Sequence, residues 1–263
     1  MTTTIADLCD HLEGIAPLNL QESYDNAGLI TGERDWEVKG VLCTLDATVE
    51  VVREAVEKGC NVVVAHHPIV FRGLKQINTV HYVGRAVVEA IKHDVAIYAI
   101  HTNLDNVLDN GVNQAIAERI GLKNISILSP KSIDEKTGSG MVGELGSPVT
   151  ELEFLTHLKN RMDTGVIRHT PLLGGKINKV AVCGGAGSFL IHSALEVGAD
   201  VFITGDVKYH EFFEADGKLV IMDIGHFESE QFTIPLLERL ISKKFRNFAV
   251  HCTERNTNPV HYF

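Results

Sequence analysis

AVEKGCNVVVAHHP, residues 55–68, runs from a helical tail through a glycine into the apolar stretch VVVA and stops at two histidines and a proline. A short apolar, β-branched run bounded by turn-forming residues predicts a strand buried on both faces. His66 and His67 then fall where the strand ends and Pro68 makes the chain turn. Neighbouring strand residues point to opposite faces, so both imidazoles can serve one site only where the backbone leaves its pleat. For an isolated pair, one histidine capping the turn and the other in solvent is the simpler arrangement.

The pattern continues on both sides. GVLCTL at 40–45, a helix near 48–58, a helix near 82–93, VAIYAIH at 95–101, a helix near 110–120 ending at Gly121 and NISIL at 124–128 alternate strand with helix. Such alternation predicts an α/β fold with a largely parallel sheet, whose ligands gather at the carboxyl ends of the strands. Ahead of it, MTTTIADLCDHLEG reads as an amphipathic helix with apolar Ile5, Leu8, Leu12 and Ile15. Ser129 to Gly146, which contains KTGSG, reads as a connection or hairpin region. It sets the expected boundary between a first α/β unit over 1–128 and a second over 129–263, with a C-terminal segment free to pack back on the first.

In the second unit, Ser147-Pro148 predicts the cap and first turn of a helix running to about Met162, followed by a short strand around Val166–His169. Then come KVAVCGG at 179–185, a helix near 188–197, DVFITGD at 200–206, LVIMDIGH at 219–226 and a helix from about Ser229. The two halves resemble one another. AVEKGCNVVVAHH at 55–67 matches ALEVGADVFITGD at 194–206, and His101 and His226 are each followed four residues later by a carboxylate, Asp105 and Glu230. Helix–glycine–strand transitions recur in all α/β proteins, yet two such matches point to an internal duplication. The expected fold is therefore two related three-layer α/β units with a metal site in the cleft between them.

The chain has 263 residues, enough for one large domain or two smaller ones, and an ordinary apolar share of 44%. Lys and Arg number 24 against 34 Asp and Glu, a formal balance of −10, which disfavours a general nucleic-acid binder. The first residues lack the basic start and apolar run of a secretory signal, and no stretch reaches the roughly 18 apolar residues of a membrane span. A cytoplasmic protein is expected. The five cysteines, Cys9, Cys43, Cys60, Cys183 and Cys252, are scattered and form no Cys-x-x-Cys pair, so reduced thiols are expected rather than a disulfide framework or a thiolate zinc site.

His66, His67, His101, Asp105, His226 and Glu230 all fall at or just past the ends of expected strands. Imidazole and carboxylate donors without thiolates suit a zinc-, iron- or manganese-class divalent ion. Two such ions about 3.5–4 Å apart can share a water, lower its pKa and hold both oxygens of a hydrolytic displacement. Asp46, after GVLCTL, orients a ligand histidine, contacts substrate or caps the next helix. Asp206, Tyr209 and His210 follow the second unit's equivalent of the histidine pair and can line a substrate pocket or stay on the surface. CGGAGS at 183–188 is either a phosphate cradle or a plain tight turn.

HHP at 66–68, HTNLD at 101–105 and GHFESE at 225–230, with YDNAGLITG at 24–32, resemble the Nif-three-like family over essentially the whole chain. Its members are also called GTP cyclohydrolase I type 2 homologs or dinuclear metal centre proteins. The resemblance implies His66, His67, Asp105, His226 and Glu230 as ligands of two divalent metal ions per subunit. His101 becomes a proton-transfer candidate, or a residue that holds the turn presenting Asp105. Where many members carry Trp, this chain has Tyr24, which touches no ligand. The implied activity is a metal-dependent hydrolase, with ring opening of GTP and formate release as the sharpest form and a nucleotide phosphoesterase as a variant. A non-catalytic metal-binding assembly or regulatory protein that binds a partner or nucleic acid is the alternative. The implied assembly is a homohexamer, and the implied partner a nucleotide or other small molecule.

Overall fold

The computed structural model describes residues 2–131 and 136–263; residues 132–135, inside the expected connection, lie outside them. By packing, the chain forms two compact units, Met1–Leu104 with Thr233–Pro259, and Asp105–Phe232 with Val260–Phe263.

The first unit holds a five-stranded sheet in the order β1-β4-β3-β2-β11, from β1 (Gly28–Thr31), β2 (Gly40–Asp46), β3 (Val62–His67), β4 (Ala96–Ala99) and β11 (Ala249–Cys252). β4, β3, β2 and β11 run parallel, and β1 closes one edge antiparallel. Such strands are covered on both faces, which is why β2 and β3 read as near-continuous apolar runs. Leu42, Val63, Ala65 and Ile97 pack under α2 (Val49–Glu57) and α3 (Tyr82–Lys92) through Val51, Val52, Ala55, Ala86, Val87 and Ala90. α9 (Thr233–Lys244) covers β2 and β11 on the side of Cys43, whose thiol is pushed up by burial and by nearby charges that include Glu238. α1 (Ile5–Ile15) buries Ile5, Leu8, Cys9 and Leu12 and starts on a capping box between Thr4 and Asp7.

The second unit holds a six-stranded sheet, β5-β6-β8-β9-β10-β7, from β5 (Lys123–Pro130), β6 (Gly138–Thr150), β7 (Arg168–His169), β8 (Lys176–Ala186), β9 (Val201–Gly205) and β10 (Val220–Asp223). Only β8, β9 and β10 are mutually parallel. β5, β6 and β8 form an antiparallel meander and β7 an antiparallel edge, so the largely parallel arrangement expected of both halves holds in the first alone. α5 (Val112–Ile120) and α6 (Glu151–Met162) pack on β6 and β8, while α7 (Ile191–Glu196) joins Phe202 and Ile221 in a separate apolar cluster. The one-turn helices α4 (Thr102–Asp105) and α8 (His226–Glu230) complete the set.

Several expected boundaries move. Residues 105–128 pack with the second unit, because α5 lies on β8 and β5 pairs with β6; β11 puts the C-terminal segment into the first sheet. Ser147-Pro148 does not start a helix. It lies within β6, and α6 begins three residues later on Thr150, whose hydroxyl accepts from Glu153 N while the Glu153 carboxylate takes the Thr150 amide. The strand expected over 219–226 stops at Asp223, since Gly225 adopts a φ of 93° and His226 already opens α8.

The two sheets share one order. β2-β3-β4-β1 and β8-β9-β10-β7 are each three parallel strands with an antiparallel edge strand beyond the third. That is the pattern an internal duplication leaves.

Candidate metal centre

In the first unit, the parallel register sets Asp46 at the end of β2 directly beside His67 at the end of β3. His67 Nδ1 donates to Asp46 Oδ1 at 2.9 Å, and Asp46 also accepts from the Thr257 hydroxyl at 2.7 Å. Burial raises the Asp46 carboxyl, but the His67 bond and charge outweigh it and hold it below its ordinary value. His66, wholly buried, donates from Nδ1 to Ile100 O at 2.8 Å. His101 follows β4 and donates from Nδ1 to Asp25 Oδ1 at 2.8 Å. Asp25 has no solvent-exposed side-chain surface and also accepts from the Thr102 amide and hydroxyl. Burial pushes its carboxyl up, yet those donors, led by His101, bring it down to about 2.

One ring nitrogen from each of His66, His67 and His101 lies within 4.8 Å of the others. The rings of the consecutive pair stand 4.9 Å apart, so both face one place as the strand runs out. Each Nδ1 faces an acceptor-only oxygen and must carry the proton, which leaves Nε2 as the nitrogen to offer a metal. This is how metal-binding imidazoles are oriented and kept basic.

In the second unit, His226 and Glu230 stand one turn apart on α8, with Nε2 and Oε2 at 3.1 Å. His226 Nδ1 donates to Asp206 Oδ2 at 2.8 Å, repeating the motif. Burial lowers the imidazole, but the charges and hydrogen bonds of Glu230 and Asp206 overcome it and raise it to about 11. Gly185 makes room for this pair: its φ is 61°, and a Cβ there would run into Glu230 Oε1. Gly205 does the same for the backbone, since a Cβ would lie 2.8 Å from the His226 amide nitrogen. Asp105 closes α4; its carbonyl accepts from Asn113 Nδ2 at 3.1 Å. Burial chiefly, with the charges of Asp105 and Glu230, pushes the Cys183 thiol far up.

Of the two readings for CGGAGS, the tight turn is the one built. The amides of Gly184, Gly185 and Gly187 donate at 2.9 Å each to Asn113 Oδ1, Ser229 Oγ and Thr204 Oγ1. The turn braces the Glu230 helix and does not present those amides to an anion. Asp46 orients His67, as one of its expected roles had it, and Asp206 orients His226 instead of facing a substrate alone. Tyr209 and His210 are exposed and pack edge-on at 5.1 Å. The residue that sequence reading passed over is Asp25, inside the quoted YDNAGLITG, whose partner lies 76 residues away. Cys9 and Cys60 are driven to about 11 by burial, so neither is a thiolate at neutral pH.

In the first unit three imidazoles with Nδ1 committed to oxygen, and in the second His226 with the carboxylates Asp105 and Glu230, are donor types that suit a borderline divalent cation. The His and Glu groups could bind metal. Among the described residues, no helix is long and apolar enough to cross a membrane. A protein of Clostridium perfringens named GTP cyclohydrolase 1 type 2 homolog is 38% identical over 227 residues, covering 85% of this chain and 86% of its own. One of the same name from Clostridium acetobutylicum is 32% identical and covers 98% of both. The crystal structure of Staphylococcus aureus protein SA1388 superposes with a TM-score of 0.92 at 32% identity over 99% of both chains, and that of a Bacillus cereus protein related to NIF3 with 0.91 at 27% over 100%. The Duf34/NIF3 (NGG1p interacting factor 3) family model matches residues 3–259, and the chain belongs to that family.

Proposed function

We propose that the chain is a metal-dependent hydrolase whose two divalent ions, of the zinc, iron or manganese class, are held by His66, His67, Asp105, His226 and Glu230. The observation that carries this reading is the repeated Nδ1-to-oxygen bond, which presets His66, His67 and His226 as Nε2 ligands. Bound there, two ions supply Lewis acidity and a water of lowered pKa. His101, tied through Nδ1 to Asp25, keeps its other nitrogen for moving a proton at the reacting group. The names of the Clostridium relatives point to ring opening of GTP with formate release as the first reaction to test. The working assembly is a homohexamer, to be checked by solution mass.

The test is metal analysis of protein purified without added metal, followed by a nucleotide screen for formate and phosphate. About two ions per chain and formate from GTP are expected. Phosphate without formate would turn the reaction into a phosphoesterase. A full metal complement with no turnover on any nucleotide would favour a binding protein, and fewer than about one ion per chain would remove the two-ion site.

A further inference from the structure

Tyr24 and Phe71, in the first unit, stack on one another with ring centroids 6.2 Å apart and planes at 20°, although they are 62% and 44% exposed. Phe71 meets the His101 ring edge-on at 5.7 Å. Three consecutive residues fix this arrangement. Tyr24 supplies one ring, the buried carboxylate of Asp25 holds His101, and Asn26 Nδ2 donates to Val70 O at 2.7 Å, just before Phe71. Gln21 Oε1 accepts from the Ala27 amide at 3.0 Å and closes the same loop. The loop that positions the imidazole therefore also positions the rings.

Charge sharpens the picture. From Pro68 to Val88 the chain carries Arg72, Lys75 and Arg85 and not one Asp or Glu, against a whole-chain balance of −10. Arg85 donates to the carbonyls of Thr79 and Val80 and shapes the loop, which leaves the exposed Arg72 and Lys75 as the cations nearest Phe71 in sequence. A ring face with cations close by in the chain attracts a flat heteroaromatic group that carries an anionic tail. A purely aliphatic partner would draw nothing from the cations, and inorganic anions nothing from the rings.

We propose that Tyr24 and Phe71 form a stacking platform for the base of a nucleotide beside His101, with Arg72 and Lys75 serving its phosphates. This rests on reading the His101 site as one that acts on nucleotides. The test is calorimetric titration of the protein, with its metals as purified, with GTP and with inorganic tripolyphosphate, which has no base. Phe71→Leu and Tyr24→Leu are expected to weaken GTP about five- to hundred-fold with tripolyphosphate unchanged. Tyr24→Phe should retain GTP binding, and Arg72→Gln with Lys75→Gln should weaken both ligands and flatten the salt dependence.

No GTP binding by the wild type, unchanged GTP affinity in both leucine variants, or equal loss of GTP and tripolyphosphate would overturn the platform. So would a change of solution mass in those variants at constant affinity, which would assign the rings to a contact between copies. Nucleotide turnover with an unaltered KM in Phe71→Leu removes the platform and leaves the hydrolase. Base-dependent binding without turnover does the reverse.

Discussion

The two sheets place different chemistry on equivalent positions. Val41 pairs with Val62 as Val180 pairs with Val201, so counting along β3 and β9 sets His67 against Asp206, whereas β8 shifts register between Val182 and Ala186 and has no residue in strict step with Asp46. In the first unit the end of β2 carries a carboxylate that holds the histidine beside it. In the second the strand end shifts register and carries Gly185, where Glu230 occupies the space a Cβ would need. The orienting aspartates differ as well. Asp25 has no exposed side-chain surface, whereas Asp206 is 56% exposed and sits in the left-handed region at φ 55°. A repeated scaffold thus keeps the rule that an oxygen orients each imidazole, while the element supplying that oxygen changes.

The sharpest way to break this comparison is to change the side chains that set these strand ends and their histidines. Gly185→Ala combines a positive φ with a blocked Cβ and should lower stability by about 3 kcal/mol in urea unfolding; an unchanged midpoint would mean the space is not needed. Next is Asp25→Asn, expected to lower stability at pH 7 by about 2 kcal/mol. The folded carboxyl lies at about 2, below its ordinary 3.8, so its contribution is present above pH 4 and lost as pH falls through 2. The gap between wild type and variant should therefore close on acidification, and a gap constant from pH 7 to 2 would refute the assignment.

Asp46→Gly opens no clash and removes the partner of His67 together with the acceptor of the Thr257 hydroxyl, so metal affinity should fall about ten- to hundred-fold with little loss of fold, as should Asp206→Ala for His226. Competition with a chelator would measure both. Because His226 is held protonated up to about 11, a cation there competes with a proton and binding should tighten as pH rises from 6 to 9. The smallest effect is expected from Thr4→Ala and Thr150→Ala, which break one capping box in each unit and should each cost about 1 kcal/mol. Unequal shifts in two separate transitions would show that the units unfold independently.

Sequence reading finds the first sheet where residues are apolar in runs, as in β2, β3 and β4, and it singles out six metal-type residues because histidines and carboxylates at strand ends are conspicuous. Its hairpin reading of 129–146 holds where β5 and β6 pair antiparallel, but it gives no strand at β6, whose Gly138, Gly140, Gly143 and Gly146 imitate a loop. Three of those glycines answer close packing, Gly138 against the Ser129 carbonyl and the Ile127 side chain. A Cβ at Gly140 would press on Leu190 and the Val182 carbonyl at 2.8 and 2.9 Å, and one at Gly143 on the Lys123 carbonyl at 3.0 Å. The helix start at Ser147 is mistaken because a good cap dipeptide cannot overrule strand pairing that continues to Thr150. Asp25 is invisible as a partner of His101 because nothing local ties residues 76 positions apart.

β11 has a consequence for how the protein is made. It hydrogen-bonds to β2 at the edge of the first sheet, pairing Cys252 with Cys43. Residues 105–232 form most of the second unit as one uninterrupted stretch. During synthesis that stretch can collapse as soon as it emerges, whereas the sheet bearing the histidine pair waits for Ala249–Cys252, which are made after it. The sheet entered before the second unit is completed after it, and a ribosome that stalls between the two would leave β2 exposed as an open edge.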